Sequence, residues 1–381
     1  MGADYLLENG TLYKYVGPGW RWQAQGVASF SAQAGKADWT IARAAIDQAG
    51  CGARATLLVQ VQDNAGHIVS GTAFPDPGPG TCPAGPTAAN QIQYVFVIAL
   101  ENEPAGAIYG SADAPYLSGQ ILPSYARAAA FVDPLADDLP SEPHYVWMEA
   151  GTNTFADTTF TTDADPSAAN STASTAHLVT QMQAASPPVS WLGFQEGLGP
   201  STTGACPILS TGFYAAKHDP FVFFQDVTGS PPSAGNAFCA AHHRAYKSAT
   251  FPQVLAGGAV ARYNFITPNL CDDMHGAGGC PDADDIQAGD QWLAANLPPL
   301  IQFAEANAGV IFIVWDEPEG GSNLIPFFAV GAHVRPGYAS SVSFNHGSLT
   351  RSVERIFGLP ILPAVAQVDD FTDLFEPGFF P

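Results

Sequence analysis

The chain has 381 residues, 46% of them hydrophobic, which provides for a large buried core and excludes an intrinsically disordered protein. Its 13 basic and 35 acidic residues give a formal net charge of −22. A surface this acidic repels nucleic acid and anionic membranes, so neither is an expected partner. An anionic substrate would have to be met by a metal ion or by a local cationic pocket. No apolar run approaches the ~20 residues that span a bilayer, so we predict no integral membrane segment.

Residues 1–90 differ in composition from the rest and are predicted to form a small, mostly β N-terminal region of unknown role. A strand is predicted over 55–62, and the stretch 74–86, dense in proline and glycine, is typical of a linker or surface loop. The first four residues show neither a basic nor an apolar leader, so we expect no export signal in this sequence. Residues 91–381 are predicted to form one catalytic domain.

From about residue 91 strand-like and helix-like segments alternate, which favours a mainly parallel sheet with helices on both faces. The predicted strands are 93–100, 221–224, 261–267, 310–316 and 326–334. The predicted helices are 122–131, 174–184, 289–307 and 347–357. Residues 156–175 are polar without an apolar period, so we predict an exposed loop there.

Acidic residues follow two of the predicted strands. Glu101 and Asn102 come directly after the first strand of the larger domain, and Asp316 and Glu317 come at the end of the fourth. Open α/β sheets bind their ligands at the carboxyl ends of the strands. Carboxylate and amide oxygens suit a hard divalent cation, so the sequence predicts a metal site at this edge.

A serine at a predicted helix start is the candidate nucleophile. Pro143 fits the first turn of a helix and would place Ser141 beside the N-terminus, where backbone N–H groups favour a phosphate. The alternative is that Ser141 is only a helix N-cap.

Seven short segments, spread over residues 93–375, carry polar residues in a recognisable order. They are Glu101-Asn102, Pro140-Ser141-Glu142-Pro143-His144-Tyr145, Trp191-Leu192-Gly193-Phe194-Gln195-Glu196, Lys217-His218-Asp219-Pro220-Phe221, Pro268-Asn269-Leu270-Cys271-Asp272-Asp273-Met274-His275, Trp315-Asp316-Glu317 and Asn345-His346-Gly347-Ser348-Leu349-Thr350-Arg351-Ser352-Val353-Glu354. Together they resemble the motifs of the secreted phosphoesterase family that includes bacterial phospholipases C and acid phosphatases. The chain departs from the family pattern at His144, where the family has asparagine, and at Phe194, where it has tyrosine.

The resemblance implies an alkaline-phosphatase-like α/β fold and one divalent metal ion, with Ca²⁺, Mg²⁺, Mn²⁺ and Zn²⁺ all open. The residues that would surround the metal are Glu101, Asn102, Ser141, Asp316 and Glu317. Ser141 would attack phosphorus and form a phosphoserine. His275 and His346 are the two candidate proton donors, with Asp273 orienting an imidazole.

The resemblance implies that Asn102, His144 and His218 bind the substrate. The change at His144 has two interpretations: a cationic His144 binds substrate in place of the amide, or the specificity of the site has drifted. His218 is also a candidate catalytic histidine, and its alternative is a buried structural histidine bonded to backbone.

The six cysteines form no CxxC pair, and an even count in such a composition indicates a secreted or periplasmic protein with disulfides. Pairing of sequence neighbours would join Cys51 to Cys82, Cys206 to Cys239 and Cys271 to Cys280, although six cysteines allow fifteen arrangements. The oligomeric state is left open.

We therefore predict a metal-dependent hydrolase of phosphate monoesters, acting on a small-molecule phosphate ester or a phospholipid head group. One alternative is a phospholipase C that cleaves phosphodiesters, for which Phe327 and Phe328 could form an apolar rim or could simply be core. A second alternative is a non-catalytic binding protein on the same scaffold, with 1–90 as its functional module.

Overall fold

The computed structural model describes residues 92–135, 139–199, 204–282, 284–318 and 322–381, and the backbone of seven strands before residue 92. The chain divides into two compact units, Met1–Thr87 and Ala88–Pro381. In the first unit, antiparallel pairing forms one three-stranded sheet, β1 to β3, and two hairpins, β4 with β5 and β6 with β7. These strands are β1 (Tyr5–Glu8), β2 (Thr11–Tyr15), β3 (Trp22–Val27), β4 (Ser29–Gln33), β5 (Lys36–Thr40), β6 (Leu57–Gln62) and β7 (Ile68–Phe74).

The second unit is built on one eight-stranded sheet in the order β11-β10-β12-β8-β13-β14-β9-β15. Its strands are β8 (Tyr94–Leu100), β9 (Ala126–Phe131), β10 (Trp191–Gln195), β11 (His243–Ala245), β12 (Tyr263–Thr267), β13 (Gly309–Trp315), β14 (Phe327–Gly331) and β15 (Ala339–Phe344). All neighbours pair in parallel except β14, which runs antiparallel to β13 and β9. The predicted mainly parallel α/β sheet is confirmed.

The helices of this unit alternate with the strands. They are α1 (Ala105–Ile108), α2 (Leu122–Ser124), α3 (Ser141–Ala150), α4 (Leu178–Ala184), α5 (Gln225–Thr228), α6 (Ala237–His242), α7 (Phe251–Ala256), α8 (Asp285–Ala306) and α9 (His346–Phe357). A π-helical turn (Leu117–Ile121) precedes α2, and 3₁₀ turns occupy Ala216–His218, Pro220–Phe223, Pro363–Val365 and Phe371–Leu374. Within the described parts of the chain, no helix is long and apolar enough to cross a membrane.

The centre of the sheet is the pair β8 and β13, which is almost entirely buried because both faces are covered. Leu100 at the end of β8 lies opposite Trp315 at the end of β13. This register brings the residues that follow the two strands to the same level of the sheet edge. Phe327 and Phe328 on β14 are also fully buried, so they belong to the core and form no apolar rim.

Two predicted elements are wrong. Residues 122–131 are not one helix, because the alanine-rich run Ala126–Phe131 is strand β9, where pairing with β14 and β15 overrides the helix propensity of alanine. Residues 221–224 form no strand, because a 3₁₀ turn begins at Pro220. Strands β10, β11 and β15 were not predicted, and predicted helix 174–184 begins only at Leu178.

Two of the three predicted disulfides are present, Cys206–Cys239 and Cys271–Cys280. The third predicted pair, Cys51 and Cys82, lies outside the described residues. Both bonds close loops of the second unit, and the second one encloses Asp273 and His275.

Candidate active site

Two strand ends are joined directly at the centre of the sheet edge. The backbone N–H of Asp316 donates to the carbonyl of Leu100 at 3.0 Å, and the N–H of Asn102 donates to Asp316 Oδ1 at 3.0 Å. Asn102 has φ of 51°, a left-handed conformation that asparagine tolerates better than most residues. This turn aims the side chains after β8 and β13 at one place.

The candidate nucleophile lies against these acidic residues. Ser141 is the first residue of α3 and only 3% exposed, and the N-cap of α3 is Pro140, so Ser141 is not the cap. Its Oγ is 3.1 Å from Glu101 Oε2 and 3.3 Å from Glu317 Oε1. A serine hydroxyl in the first turn of a helix, flanked by two carboxylates, can lose its proton to a neighbour and face an anion bound at the helix start.

Several carboxylates crowd into this small buried volume. Glu101, Asp273 and Asp316 are fully buried. Burial, followed by repulsion from Asp316 and Asp273, raises the pKa of Glu101 well above its usual value. Burial and the charge of Asp316 raise the pKa of Glu317 to about 8. The ionised forms of these carboxylates are therefore unfavourable unless a cation compensates their negative charge.

Two buried oxygen atoms that lack hydrogen-bond partners among the described residues could bind a divalent cation. Asp316 Oδ2 and Asn102 Oδ1 are buried, and neither finds a hydrogen-bond partner in the part of the chain that the structure describes. Buried polar atoms are nearly always satisfied, so these two are candidates for metal ligation. Together with the oxygens of Glu101, Ser141 and Glu317 they form an all-oxygen donor set of the kind that Ca²⁺, Mg²⁺ and Mn²⁺ prefer.

Two histidine–carboxylate groups have ligand atoms within 4.8 Å of one another, as a metal site would require. One joins His218 to Glu101 and Asp273, and the other joins His144 to two acidic residues, Asp316 and Glu317. We discount His144 as a ligand, because both of its ring nitrogens already have partners.

His144 is buried, and each of its ring nitrogens contacts an acceptor. Its Nδ1 lies 2.9 Å from the carbonyl of Pro140, and its Nε2 lies 3.1 Å from Asp133 Oδ2. Both partners are acceptors, so the doubly protonated ring satisfies them best. Burial alone lowers the pKa of His144, but the hydrogen bond to Asp133 and the charge of Asp316 outweigh it and raise the pKa to about 9.

His218 lies next to Oε1 of Glu101, whereas Ser141 lies next to Oε2 of the same carboxylate. Its Nδ1 is 3.4 Å from Glu101 Oε1 and 3.6 Å from Asp273 Oδ2, and its ring stacks on Tyr145. Burial lowers the pKa of His218 well below its usual value, which keeps the imidazole neutral. The structure thus brings His218 into the site, among the residues proposed to bind the metal.

The two candidate proton donors have different surroundings. His275 is half-buried, with its ring 5.9 Å from that of His218 and its Nδ1 2.6 Å from the carbonyl of Gly276. Asp273 accepts the backbone N–H of His275 at 2.9 Å and does not orient its imidazole.

His346, the first residue of α9, is fully buried and lies near His144, with ring centroids 5.9 Å apart. Its Nε2 lies 3.0 Å from the carbonyl of Trp315, and its Nδ1 has no partner among the residues described. Burial and the neighbouring His144 lower the pKa of His346 to about 4, so the ring is uncharged near neutral pH.

Sequence reasoning missed two contributors to the site. The Tyr145 hydroxyl donates to Glu101 Oε1 at 2.5 Å, and its position four residues after Ser141, on the same helix face, was a usable signal. Asp133 follows β9, and it was missed because that strand was read as a helix.

The chain is similar to several known proteins. Residues 117–360 match the Phosphoesterase family. The chain is 30% identical over 284 residues to a phosphatidylinositol-3-phosphatase of Mycobacterium tuberculosis, covering 74% of this chain and 82% of the relative. It is 27% identical over 164 residues to the phosphate-repressible acid phosphatase of Penicillium chrysogenum, covering 41% of this chain and 36% of that protein. A solved structure from Vibrio parahaemolyticus in the alkaline phosphatase superfamily is similar with a TM-score of 0.46 and 10% identity, covering 75% of this chain and 71% of that one.

Proposed function

This chain belongs to the phosphoesterase family and is a phosphoric ester hydrolase, and from that premise we propose that it hydrolyses phosphate monoesters through a phosphoserine at Ser141. The observation that carries the proposal is the position of Ser141 Oγ, at the start of α3 and 3.1 Å and 3.3 Å from the carboxylates of Glu101 and Glu317. A nucleophile, a proton acceptor and an anion-binding helix start meet at one point.

Monoesters are favoured over diesters by the curated relatives. Both are named as phosphatases, and the mycobacterial one is named for removing phosphate from a phosphorylated inositol lipid. The substrate class that we propose is a phosphate monoester, either a small molecule or a phospholipid head group. Burial of Phe327 and Phe328 takes away the apolar rim that the phospholipase C alternative invoked.

We propose that the residues that hold one divalent metal ion are Glu101, Asn102, Ser141, Asp316 and Glu317. The buried atoms Asp316 Oδ2 and Asn102 Oδ1, which have no hydrogen-bond partner among the described residues, support this assignment. A bound divalent ion would stabilise negative charge on the serine oxygen and on the phosphoryl oxygens. Oxygen ligands favour Ca²⁺, Mg²⁺ or Mn²⁺ over Zn²⁺.

The reaction that we propose has two displacements. Ser141 Oγ attacks phosphorus and its proton passes to a flanking carboxylate, Glu317 or Glu101. The O–P bond forms as the ester P–O bond breaks, and the leaving alkoxide takes up a proton. A water molecule then attacks phosphorus and loses a proton to the side chain that protonated the alkoxide, the bond to Ser141 breaks, the serine oxygen takes back the proton held by the flanking carboxylate, and inorganic phosphate leaves.

His275 is the better candidate for the proton donor. Its ring is partly exposed, whereas His346 is buried, has a pKa near 4 and lies with Nε2 against the Trp315 carbonyl. The pKa of His346 counts against it, because an acid that protonates a leaving group works best with a pKa close to the working pH. We propose that Asp273 holds the backbone of His275.

The remaining site residues would bind the substrate's phosphoryl group. Asn102 lies at the strand end beside the nucleophile, and His218 offers a neutral buried ring. His144 would contribute through its charge, since both of its nitrogens are occupied. The two disulfides support a secreted or periplasmic location, where such bonds persist.

The test compares p-nitrophenyl phosphate with p-nitrophenyl phosphorylcholine, with and without chelator, for the wild type and Ser141→Ala. We expect chelator-sensitive turnover of the monoester, loss of turnover in Ser141→Ala, and acid-stable phosphate on Ser141 after quenching with a labelled monoester. Ser233→Ala, at an exposed serine, is the matched control and should retain activity. Preference for the diester, or full activity of Ser141→Ala, would contradict the proposal.

A further inference from the structure

The residue after the nucleophile makes contacts that the reaction scheme does not use. Glu142 is fully buried and accepts hydrogen bonds from the Ala164 backbone N–H at 2.8 Å, Asn170 Nδ2 at 3.0 Å and Thr162 Oγ1 at 3.2 Å. One carboxylate therefore anchors residues 162–170, which we call the rim segment, to the first turn of α3. A buried carboxylate is costly unless it is fully bonded, so this anchor is specific.

The rim segment reaches across to the turn that carries His218. Its Asp163 forms an ion pair with Lys217, whose side chain is 19% exposed. Its Asp165 accepts the backbone N–H of Ser210 at 2.9 Å. The rim segment is thus tied both to the start of α3 and to the segment that leads into Lys217.

Lys217 lies beside the candidate active site, because it directly precedes His218, whose Nδ1 is 3.4 Å from Glu101 Oε1. An exposed ion pair would usually be worth little. Lys217 is different because it adjoins His218 in a chain where acidic residues outnumber basic ones by 35 to 13. A lysine ammonium has three N–H donors, so the pair with Asp163 leaves donors for an anionic ligand.

We propose that Lys217 binds the phosphoryl group of the substrate, and that Glu142 is a positioning residue that holds Lys217 in place through the rim segment and Asp163. The inference rests on the proposed function, since it assigns a binding role at that same site. It supplies the local cation that an anionic substrate needs on so acidic a protein.

Steady-state kinetics with p-nitrophenyl phosphate test the role of Lys217. For Lys217→Gln we expect KM, and the inhibition constant of inorganic phosphate, to rise together by roughly tenfold, with kcat changing less than about threefold. Lys217→Arg keeps the charge and should restore most of the loss. Lys247→Gln removes the same charge at an exposed position and should behave as wild type. Unchanged phosphate inhibition in Lys217→Gln would overturn the assignment.

A double-mutant cycle tests the role of Glu142. If Glu142→Gln acts through Lys217, it raises KM, and the double variant is no worse than Lys217→Gln alone. Additive effects on KM, or a fall in kcat alone, would overturn the positioning role.

The two proposals fail in different ways. If the wild type shows no turnover, the proposed function is wrong, and calorimetric binding of inorganic phosphate to wild type and Lys217→Gln still decides the role of Lys217. If the wild type turns over normally and Lys217→Gln matches it in both constants, only the inference about Lys217 is wrong.

Discussion

The Nε2 of His144, a residue of α3, lies 3.1 Å from a carboxylate oxygen of Asp133, and both side chains are almost completely buried. Burial alone raises the pKa of Asp133, but the hydrogen bond and charge of His144 outweigh it and lower the pKa. Both pKa shifts favour the charged forms of the two side chains. The His144 ring also lies beside Asp316 and Glu317, and ligand atoms of the three side chains lie within 4.8 Å of one another.

Breaking this ion pair on one side should cost considerable stability. We expect Asp133→Asn and His144→Asn each to lower the free energy of unfolding by about 3 kcal/mol, because each leaves an uncompensated buried charge or donor. The double variant should lose less than the sum. Urea unfolding monitored by fluorescence measures this. His333→Asn is the control, because it breaks an exposed pair with Glu376 and should cost less than about 1 kcal/mol. Strict additivity of the two buried changes would show that the residues are not coupled.

A divalent ion should stabilise the fold as well as support turnover. The buried carboxylates Glu101, Asp273 and Asp316 repel one another, so a bound cation favours the native state. We expect the melting temperature to rise with added Mn²⁺ or Ca²⁺ and to fall with chelator. Asp316→Asn should lose most of this dependence, whereas Asp369→Asn, at an exposed carboxylate, should keep it. A melting temperature that changes neither with added metal nor with chelator would contradict the proposed metal site.

The two disulfides should contribute unequally. They close loops with sequence separations of 33 for Cys206–Cys239 and 9 for Cys271–Cys280. Loop-closure entropy predicts a loss of about 4 kcal/mol for the first and about 3 kcal/mol for the second when each pair is replaced by serine. Denaturant unfolding of the two double variants gives these values. Because the shorter loop holds Asp273 and His275, its variant should also lose activity, and retention of full activity would show that the bond is not needed to shape the site.

Glu196 should make stability depend on pH. Burial, followed by the charge of Asp272, raises the pKa of Glu196 to about 7. The folded state thus binds a proton more tightly than the unfolded state, so the stability from protonated Glu196 is full below about pH 4.5 and is lost as pH rises towards 7.

The variant Glu196→Gln imitates the protonated form. It should match the wild type near pH 4.5 and exceed its unfolding free energy by roughly 1–2 kcal/mol at pH 8. Unfolding free energies measured across this range test the prediction. Glu305→Gln, at an exposed carboxylate, is the control and should follow the wild-type profile. A constant offset between Glu196→Gln and wild type at every pH would contradict it.

Much of the fold could be read from apolar runs. The strands β8, β12, β13 and β14 and the helices α8 and α9 lie within a few residues of their predicted positions, because buried strands read as continuous apolar runs and long helices show an apolar period. The sequence failed at β9, whose alanines favour helix in isolation. This segment forms a strand because it pairs with β14 and β15, which are distant in sequence, and no local sequence pattern indicates that pairing.

For the candidate site, too, some features follow from the sequence and others only from the tertiary structure. The sequence by itself determined which residue types stand at the strand ends, Glu101 with Asn102 and Asp316 with Glu317, because these follow directly from where the apolar runs stop. Only the tertiary structure decided the partners. The ion pair of His144 with Asp133, the anchoring of the rim segment by Glu142, and the different surroundings of His275 and His346 all depend on contacts between residues far apart in the chain or on the extent of burial. Hydrogen bonds and desolvation act between neighbours in space, so pKa values and fixed charges exist only once the chain has folded.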